Sequence, residues 1–351
     1  MPSAERPGRQ QTLRTALRTA ALRLESAKVS FGHGTTNARD EAAWLVLHAL
    51  GLPLTDPKAH LSRVLTAEET RRVDALIEKR VRTRKPAAYL TNEAWLGDYR
   101  FYVDERVIVP RSYIAELLRE DLRPWLPRSA KVSTALDLCT GSGCLGIILA
   151  MTFGTARIDA ADISRDALAV AARNVADYRL EKRVSLVESD LYAALVRRRY
   201  DLVVSNPPYV REAVMRTLPA EYRREPALAL AGGHDGLDLV RTILAQAPAH
   251  LEDGGLLVVE VGHNRARVEK AFPHLPLAWP QTSGGDDCVF AITRDELTAL
   301  KPRSQPAASR ARSPRATPAD ASPRPPEARS PARASTGAAA RRRRSARASG
   351  G

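Results

Sequence analysis

Cysteine is scarce. Cys139, Cys144 and Cys288 are the only three in 351 residues, and no two stand in a C-x-x-C pair. A disulfide framework or a zinc knuckle would need paired or clustered cysteines, so neither is supported and reduced thiols are expected. Long hydrophobic runs are missing too. The longest apolar stretch, 42–52, contains His48 and is short for a membrane span. The opening residues, MPSAERPGRQ, are polar and hold no apolar signal region. These readings predict a soluble, cytoplasmic protein. The seven histidines (33, 48, 60, 234, 250, 263 and 274) form neither H-E-x-x-H nor H-x-E. No metal site is expected, and His263 is placed in a loop after a strand. Residues 301–351 contain no Val, Ile, Leu, Met, Phe, Trp, Tyr or Cys, so they cannot bury a core of their own.

What is present is divided along the chain. The formal charge is +14, yet 301–351 alone carry 13 basic residues against Asp320 and Glu327, and the first 300 residues are close to neutral. A near-neutral globular body therefore carries a basic tail, which argues against a globally basic nucleic-acid-binding fold. The tail holds Ser313-Pro314-Arg315, Ser322-Pro323-Arg324 and the run Arg341 to Arg344. Three readings of it stay open: a polyelectrolyte that speeds encounter with an RNA-bearing partner, a nucleic-acid compaction arm, or compositional drift.

The expected organisation is a flexible start (1–10), a helical module (11–93), a β-hairpin linker (94–110), an α/β domain (111–298) and a disordered tail (299–351). In the helical module Leu13, Leu17, Leu24 and Val29 recur at helical spacing. Thr66 followed by Glu69 reads as a capping box, and 51–57 breaks two helices. Tyr99, Phe101, Val103, Val107 and Val109 alternate around Asp104-Glu105, which predicts a hairpin turning there, with Trp95 packed into it. A helix is predicted over 113–126. Strands are predicted at 135–139, 157–161, 184–188, 201–205, 256–261, 277–279 and 288–293, with helices at 145–151, 165–178 and 236–251. This alternation predicts an α/β fold with a mostly parallel, Rossmann-like sheet of about seven strands. Ligands in such sheets sit beyond the carboxyl ends of the strands.

Three of those strand ends carry chemistry. After the first come Asp137, Cys139, Thr140, Gly141, Ser142 and Gly143, a glycine-rich turn that lets the backbone approach a cofactor. Gly141, Gly143 and Gly146 also spell the dinucleotide fingerprint, with Asp162 following the second strand, so a nicotinamide oxidoreductase must be weighed. Asp162 could accept hydrogen bonds from ribose hydroxyls, or could only cap the helix beside Ser164 and Asp166. Asp190 and Leu191 could meet an adenine, or form a turn. After the fourth strand stand Asn206, Pro207, Pro208 and Tyr209. Two prolines stiffen this loop and remove donors, leaving carbonyl acceptors beside an aromatic face. Such a corner suits a planar group bearing NH₂. Glu225, before Pro226, could shape a substrate channel or be a surface acid.

At these residues the chain resembles class I S-adenosylmethionine-dependent methyltransferases, and more narrowly the HemK/Prm family of protein N(5)-glutamine methyltransferases. The resemblance spans about 11–297. It includes Thr91-Asn92-Glu93-Ala94-Trp95, Val109-Pro110-Arg111-Ser112, Asn206-Pro207-Pro208-Tyr209, Glu221-Tyr222-Arg223-Arg224-Glu225-Pro226 and Gly233-His234-Asp235-Gly236. The wording is most similar to the PrmB branch, which modifies a glutamine of the third protein of the large ribosomal subunit; a sister branch acts on release factors. The resemblance implies S-adenosylmethionine as cofactor. The loop Cys139–Gly143 would hold its methionine end, Asp162 its ribose, and Asp190 with Leu191 its adenine. Asn206 to Tyr209 would clamp the glutamine, and the helical module would help to recognise the protein substrate. The tail lies outside the family pattern.

No strong base stands near Asn206, and orientation of the amide can supply much of the rate. The same Asn-Pro-Pro-Tyr loop serves enzymes that methylate exocyclic amines of nucleic acids, so that reading competes. A near-neutral body without a basic target-recognition module counts against it. The oxidoreductase reading leaves Asn206–Tyr209 unexplained. A catalytically dead ribosome-binding module would predict no cofactor binding.

Overall fold

The computed structural model describes residues 11–54, 60–122, 125–126 and 131–299. The flexible start assigned to 1–10 lies outside these residues. So does the tail assigned to 299–351, except Ala299, which ends the last helix. Among the described residues, no helix is long and apolar enough to cross a membrane.

Four helices come first: α1 (Leu13–Ser26), α2 (Ala38–Leu50), α3 (Ala67–Thr83) and α4 (Ala87–Thr91). Side chains satisfy the free amides at three of their starts. Thr12 and Thr15 cap α1 reciprocally, and Asn37 Oδ1 accepts from the Asp40 amide at 3.0 Å. The capping box expected at α3 is present, with Glu69 N–H donating to Thr66 Oγ1 at 3.1 Å and Thr66 N–H to Glu69 Oε2 at 2.9 Å. A cap of this kind is worth about 1 kcal/mol. Gly51 ends α2 in the left-handed region (φ +65°), where a side chain would be strained. Leu13, Leu24, Leu45, Leu47 and Ile77 fill the shared core.

The hairpin forms earlier than expected. Strands β1 (Ala94–Leu96) and β2 (Tyr99–Phe101) pair antiparallel around Gly97-Asp98, not around Asp104-Glu105. Val103, Val107 and Val109 are buried all the same, but as an irregular segment against the helices. Side chains take the place of a partner strand. Asn92 Nδ2 donates to the Val103 carbonyl (3.1 Å), Tyr89 OH donates to the Val107 carbonyl, and the Val109 amide donates to Glu225 (2.9 Å). Trp95 is exposed, not packed; its indole N–H donates to Glu93. The helix expected over 113–126 is only α5 (Ile114–Arg119), because Asp121 and Leu122 both take positive φ and break it.

The remaining elements are β3 (Thr134–Leu138), α6 (Cys144–Thr152), β4 (Arg157–Asp162), α7 (Arg165–Asp177), β5 (Val184–Glu188) and β6 (Tyr200–Ser205). They are followed by α8 (Glu212–Met215), α9 (Asp238–His250), β7 (Leu251–Glu260), α10 (Arg265–Ala271), β8 (Val289–Thr293) and α11 (Arg294–Ala299). Among the described residues the sheet has six strands in the order β5-β4-β3-β6-β7-β8, all parallel except β8. The segment 277–279 does not extend it; it contributes one antiparallel bridge, Ala278 to Ala291. Alternate residues of the central strands feed two cores. Leu202, Val204, Leu256 and Val258 meet α5 and α6, while Val203, Leu257 and Val259 meet α9 and α11. Both faces are therefore covered, as parallel sheets require. The chain leaves β3 toward β4 on one side and returns to it with β6 on the other. That reversal opens a crevice at the carboxyl ends of β3 and β6.

Candidate active site

The glycine-rich turn fills one side of the crevice. Cys139 (φ +64°), Gly141 (+56°) and Gly143 (+81°) all take left-handed backbone between β3 and α6. A non-glycine residue held there stores about 1–3 kcal/mol of strain, so its surroundings must enforce it. Asp137 does so from below. It is fully buried, and its Oδ2 accepts from the Thr140 hydroxyl and from the Gly146 amide (2.8 Å). Burial pushes its carboxyl up to about 7, against those two hydrogen bonds. Asn174, which sequence reasoning missed, ties the turn to the hairpin. Its Nδ2 donates to the Ser142 carbonyl (2.9 Å) and the Tyr102 carbonyl (3.0 Å). Gly146, the third glycine of the dinucleotide spacing, serves packing instead; a Cβ there would lie 3.3 Å from Ala160 Cβ.

A cavity opens above this turn. Cys139, Thr140, Gly141, Ser142, Asp162, Asp190, Leu191, Asn206 and Pro208 line it. Asp137 and Gly143 are not on its wall; they shape the turn from behind and at the start of α6. Asp162 accepts from the Gly141 amide through Oδ2 (2.8 Å) and from the Ser164 amide through Oδ1 (2.9 Å). The cap of α7 belongs to Ser164, whose hydroxyl accepts from the Ala167 amide, so capping does not explain Asp162. Burial raises the Asp162 carboxyl above its ordinary value, although those amides oppose the shift. Leu191 also sits at positive φ (+47°), held by Ser189 Oγ donating to its carbonyl at 2.6 Å.

A second cavity adjoins the first. It is lined by Pro207, Pro208, Tyr209, Val210, Val214, Leu218, Tyr222 and Leu230, and shares Ile108, Arg111, Asn206, Pro208 and Ala229 with its neighbour. Asn206 therefore stands in the wall between the two. Its Nδ2 donates to the Arg111 carbonyl at 3.1 Å, and its Oδ1 has no donor among the described residues. Ser205, one residue earlier, stitches β6 to β3 through the Leu138 carbonyl (2.8 Å). Tyr209 lines only the second cavity. Its hydroxyl donates to Glu260 Oε1 at 3.3 Å, and bare glycines surround it. A Cβ at Gly232 would fall 2.7 Å from Tyr209 Cα, and one at Gly262 2.8 Å from the ring. Glu260 lies at the end of β7 and accepts from Ser112 Oγ (2.6 Å) and the Tyr113 amide (2.9 Å) through Oε2. Burial pushes its carboxyl up to about 7. No local motif marks Glu260; only the strand-end position could have suggested it.

Glu225 is not a surface acid. Its side chain is 0% exposed and pairs bidentately with Arg111, at 2.6 and 2.7 Å. His33 Nε2 lies 3.6 Å from Oε2. Burial alone would raise this carboxyl, but Arg111 and His33 outweigh it and hold it at about 2. Nearby, Arg80 is fully buried and donates to Glu41 (2.7 Å) and Glu221 (3.3 Å). The loop that follows Tyr209 is thus fastened to the first helices by two buried charge clusters.

The chain is similar to several known proteins. Residues 116–221 match the Methyltransferase small domain and residues 15–91 the PrmC N-terminal domain. The chain is 55% identical over 289 residues to the ribosomal protein uL3 glutamine methyltransferase of Bordetella pertussis, covering 82% of this chain and 96% of that one. The protein of the same name from Neisseria meningitidis serogroup B is 52% identical over 286 residues, covering 82% and 94%. Among solved structures, the ribosomal protein L11 methylase of Lactobacillus delbrueckii subsp. bulgaricus aligns at 20% identity and TM-score 0.36, over 51% of this chain and 75% of that one.

Proposed function

The chain belongs to the HemK/Prm family of protein glutamine methyltransferases, and from that membership we infer that it methylates the side-chain amide nitrogen of a glutamine in ribosomal protein uL3, using S-adenosylmethionine. The observation that carries the assignment of the site is the shared wall. Asn206 and Pro208 separate a glycine-floored cavity from a second one containing Tyr209.

The residues suit the cofactor. A Cβ added at Gly141 would meet nothing within 4 Å, so the glycine leaves its space to a ligand. Cys139 to Ser142 would hold the amino-acid end, Asp162 the ribose hydroxyls, and Asp190 with Leu191 the base. When bound, S-adenosylmethionine supplies an electrophilic sulfonium methyl. Everything else falls to the protein. Asn206 Oδ1 and the Pro207 carbonyl accept the two N–H bonds of the substrate amide, which fixes the nitrogen's direction and stabilises the positive charge that grows on it. Arg111 keeps Asn206 in that orientation by accepting from its Nδ2. Tyr209 stacks on the amide plane, and Glu260 holds the Tyr209 hydroxyl. The apolar lining by Ile108, Val210, Val214 and Leu218 keeps water from the amide. The excess proton leaves the product nitrogen to solvent.

Removal of the Asp162 carboxylate should weaken the cofactor site specifically. In Asp162→Ala the affinity for S-adenosylmethionine, measured by calorimetry, is expected to fall about 10–100-fold, the worth of a charge-assisted hydrogen-bond pair. An unchanged dissociation constant would remove Asp162 from the site. We take residues 11–93 as the part that recognises the protein substrate, in a cytoplasmic enzyme, and the basic tail as an aid to encounter with ribosomal RNA. One experiment tests the whole reading. Labelled S-adenosylmethionine is offered with purified uL3, a release factor or naked nucleic acid, with the full chain and with a chain ending before Lys301. Methylglutamine is expected in uL3, found by mass spectrometry. Label going to nucleic acid or the release factor instead would overturn the substrate. Equal rates for both chains on ribosomal particles at low salt would overturn the role of the tail.

A further inference from the structure

Neither His263 nor Cys288 lies in a metal-ligand motif of the sequence. The fold brings them together at the end of the sheet. His263 follows β7, and Asp287-Cys288 precede the antiparallel β8, so strand pairing sets the two segments side by side. His263 Nδ1 lies 3.0 Å from both Asp287 carboxylate oxygens and 3.6 Å from Cys288 Sγ, and Sγ lies 3.4 Å from Asp287 Oδ1. All the potential ligand atoms fall within 4.8 Å of one another. Zinc with nitrogen, oxygen and sulfur ligands at ordinary bond lengths has tetrahedral edges of about 3.3–3.6 Å. The two edges to sulfur already match such a face, and the 3.0 Å nitrogen–oxygen edge need open by only a few tenths of an ångström.

We propose that His263 Nδ1, the Asp287 carboxylate and Cys288 Sγ form a three-ligand site for zinc, open to water at the fourth position. The donor set fits that ion: a thiolate and an imidazole select a borderline-soft cation over magnesium or calcium. Access is also suitable. Cys288 is buried, while the His263 side chain is 69% exposed, so an ion enters from solvent onto a fixed sulfur. Binding forms the Zn–S, Zn–N and Zn–O bonds. The thiol proton passes to buffer, and the imidazole proton moves from Nδ1 to the solvent-facing Nε2, with no change of oxidation state. The ion clips the turn after β7 to the start of β8. Gly262, immediately before His263, lies against the Tyr209 ring, so the clip stiffens the floor of the second cavity.

The test uses the full chain, freed of metal by a chelator that is then removed. Calorimetric titration with zinc chloride is expected to show one equivalent bound, and a raised melting temperature should follow by mass action. Cobalt(II) in place of zinc should show a thiolate charge-transfer band. Cys288→Ser should lose the band, and His263→Ala and Asp287→Ala should each weaken zinc at least about tenfold. His263 and Asp287 are exposed enough that these two variants keep the test sound if Cys288→Ser fails to fold. No binding at micromolar zinc would overturn the site. So would affinity undiminished in His263→Ala, or a cobalt complex without the sulfur band.

Discussion

Asn206→Ala is expected to lower methyl transfer to uL3 by about 10³-fold, the upper range for removing one preorganised group from a reacting centre. Affinity for S-adenosylmethionine should stay within several-fold. The reason lies in the wall between the cavities. Asn206 touches both, but the turn, Asp162 and Leu191 are contributed by other elements and do not depend on its side chain. An amide nitrogen is a weak nucleophile because its lone pair is delocalised into the carbonyl, so the rate depends on how well it is aimed. Asn206→Asp sharpens the test. It keeps an acceptor but loses the donor to Arg111, placing a carboxylate oxygen against the Arg111 carbonyl 3.1 Å away in the native protein. Both variants should fail in turnover and retain the cofactor by calorimetry. A near-normal rate in Asn206→Ala would show that the amide is held elsewhere.

Much of this arrangement is legible locally. A strand end followed by a turn of Gly141 and Gly143, or by Asn206 and two prolines, announces itself because the constraint is in the residues themselves. The Thr66–Glu69 box is legible for the same reason. What sequence does not disclose is pairing across the chain. Val103, Val107 and Val109 are apolar at alternate positions and so read as a strand, yet their backbone is satisfied by Asn92, Tyr89 and Glu225, which lie 11, 18 and 116 residues away. Glu225 itself reads equally as a channel residue or a surface acid until Arg111 is brought to it. Glu260, Asn174 and the His263–Cys288 pair are likewise ordinary in sequence and become significant only through packing.

Glu225→Ala is expected to be the most destabilising of these substitutions. It leaves the Arg111 guanidinium and the buried Val109 amide without the acceptor they share, on the fully buried side of the pair. Removing one partner of a buried pair costs about 3–5 kcal/mol, a large share of a domain's whole margin. Urea unfolding should show it as a lowered midpoint. Glu225→Gln should recover part, because its carbonyl oxygen can still accept from Val109 or Arg111. The pH dependence separates charge from packing. The carboxyl is held at about 2 in the folded protein, below the ordinary unfolded value of about 4.3. Its charge therefore stabilises the fold fully above that unfolded value, by about 3 kcal/mol, and the contribution is lost as pH falls toward 2. The stability gap between the native protein and Glu225→Gln should accordingly shrink as pH falls below about 4. Activity should follow through the chain of contacts: Arg111 slackens, its carbonyl no longer fixes Asn206, and turnover falls in Glu225→Gln at temperatures where it is still folded. A variant with unchanged midpoint and unchanged turnover would mean that the Glu225–Arg111 pair holds neither the fold nor the clamp.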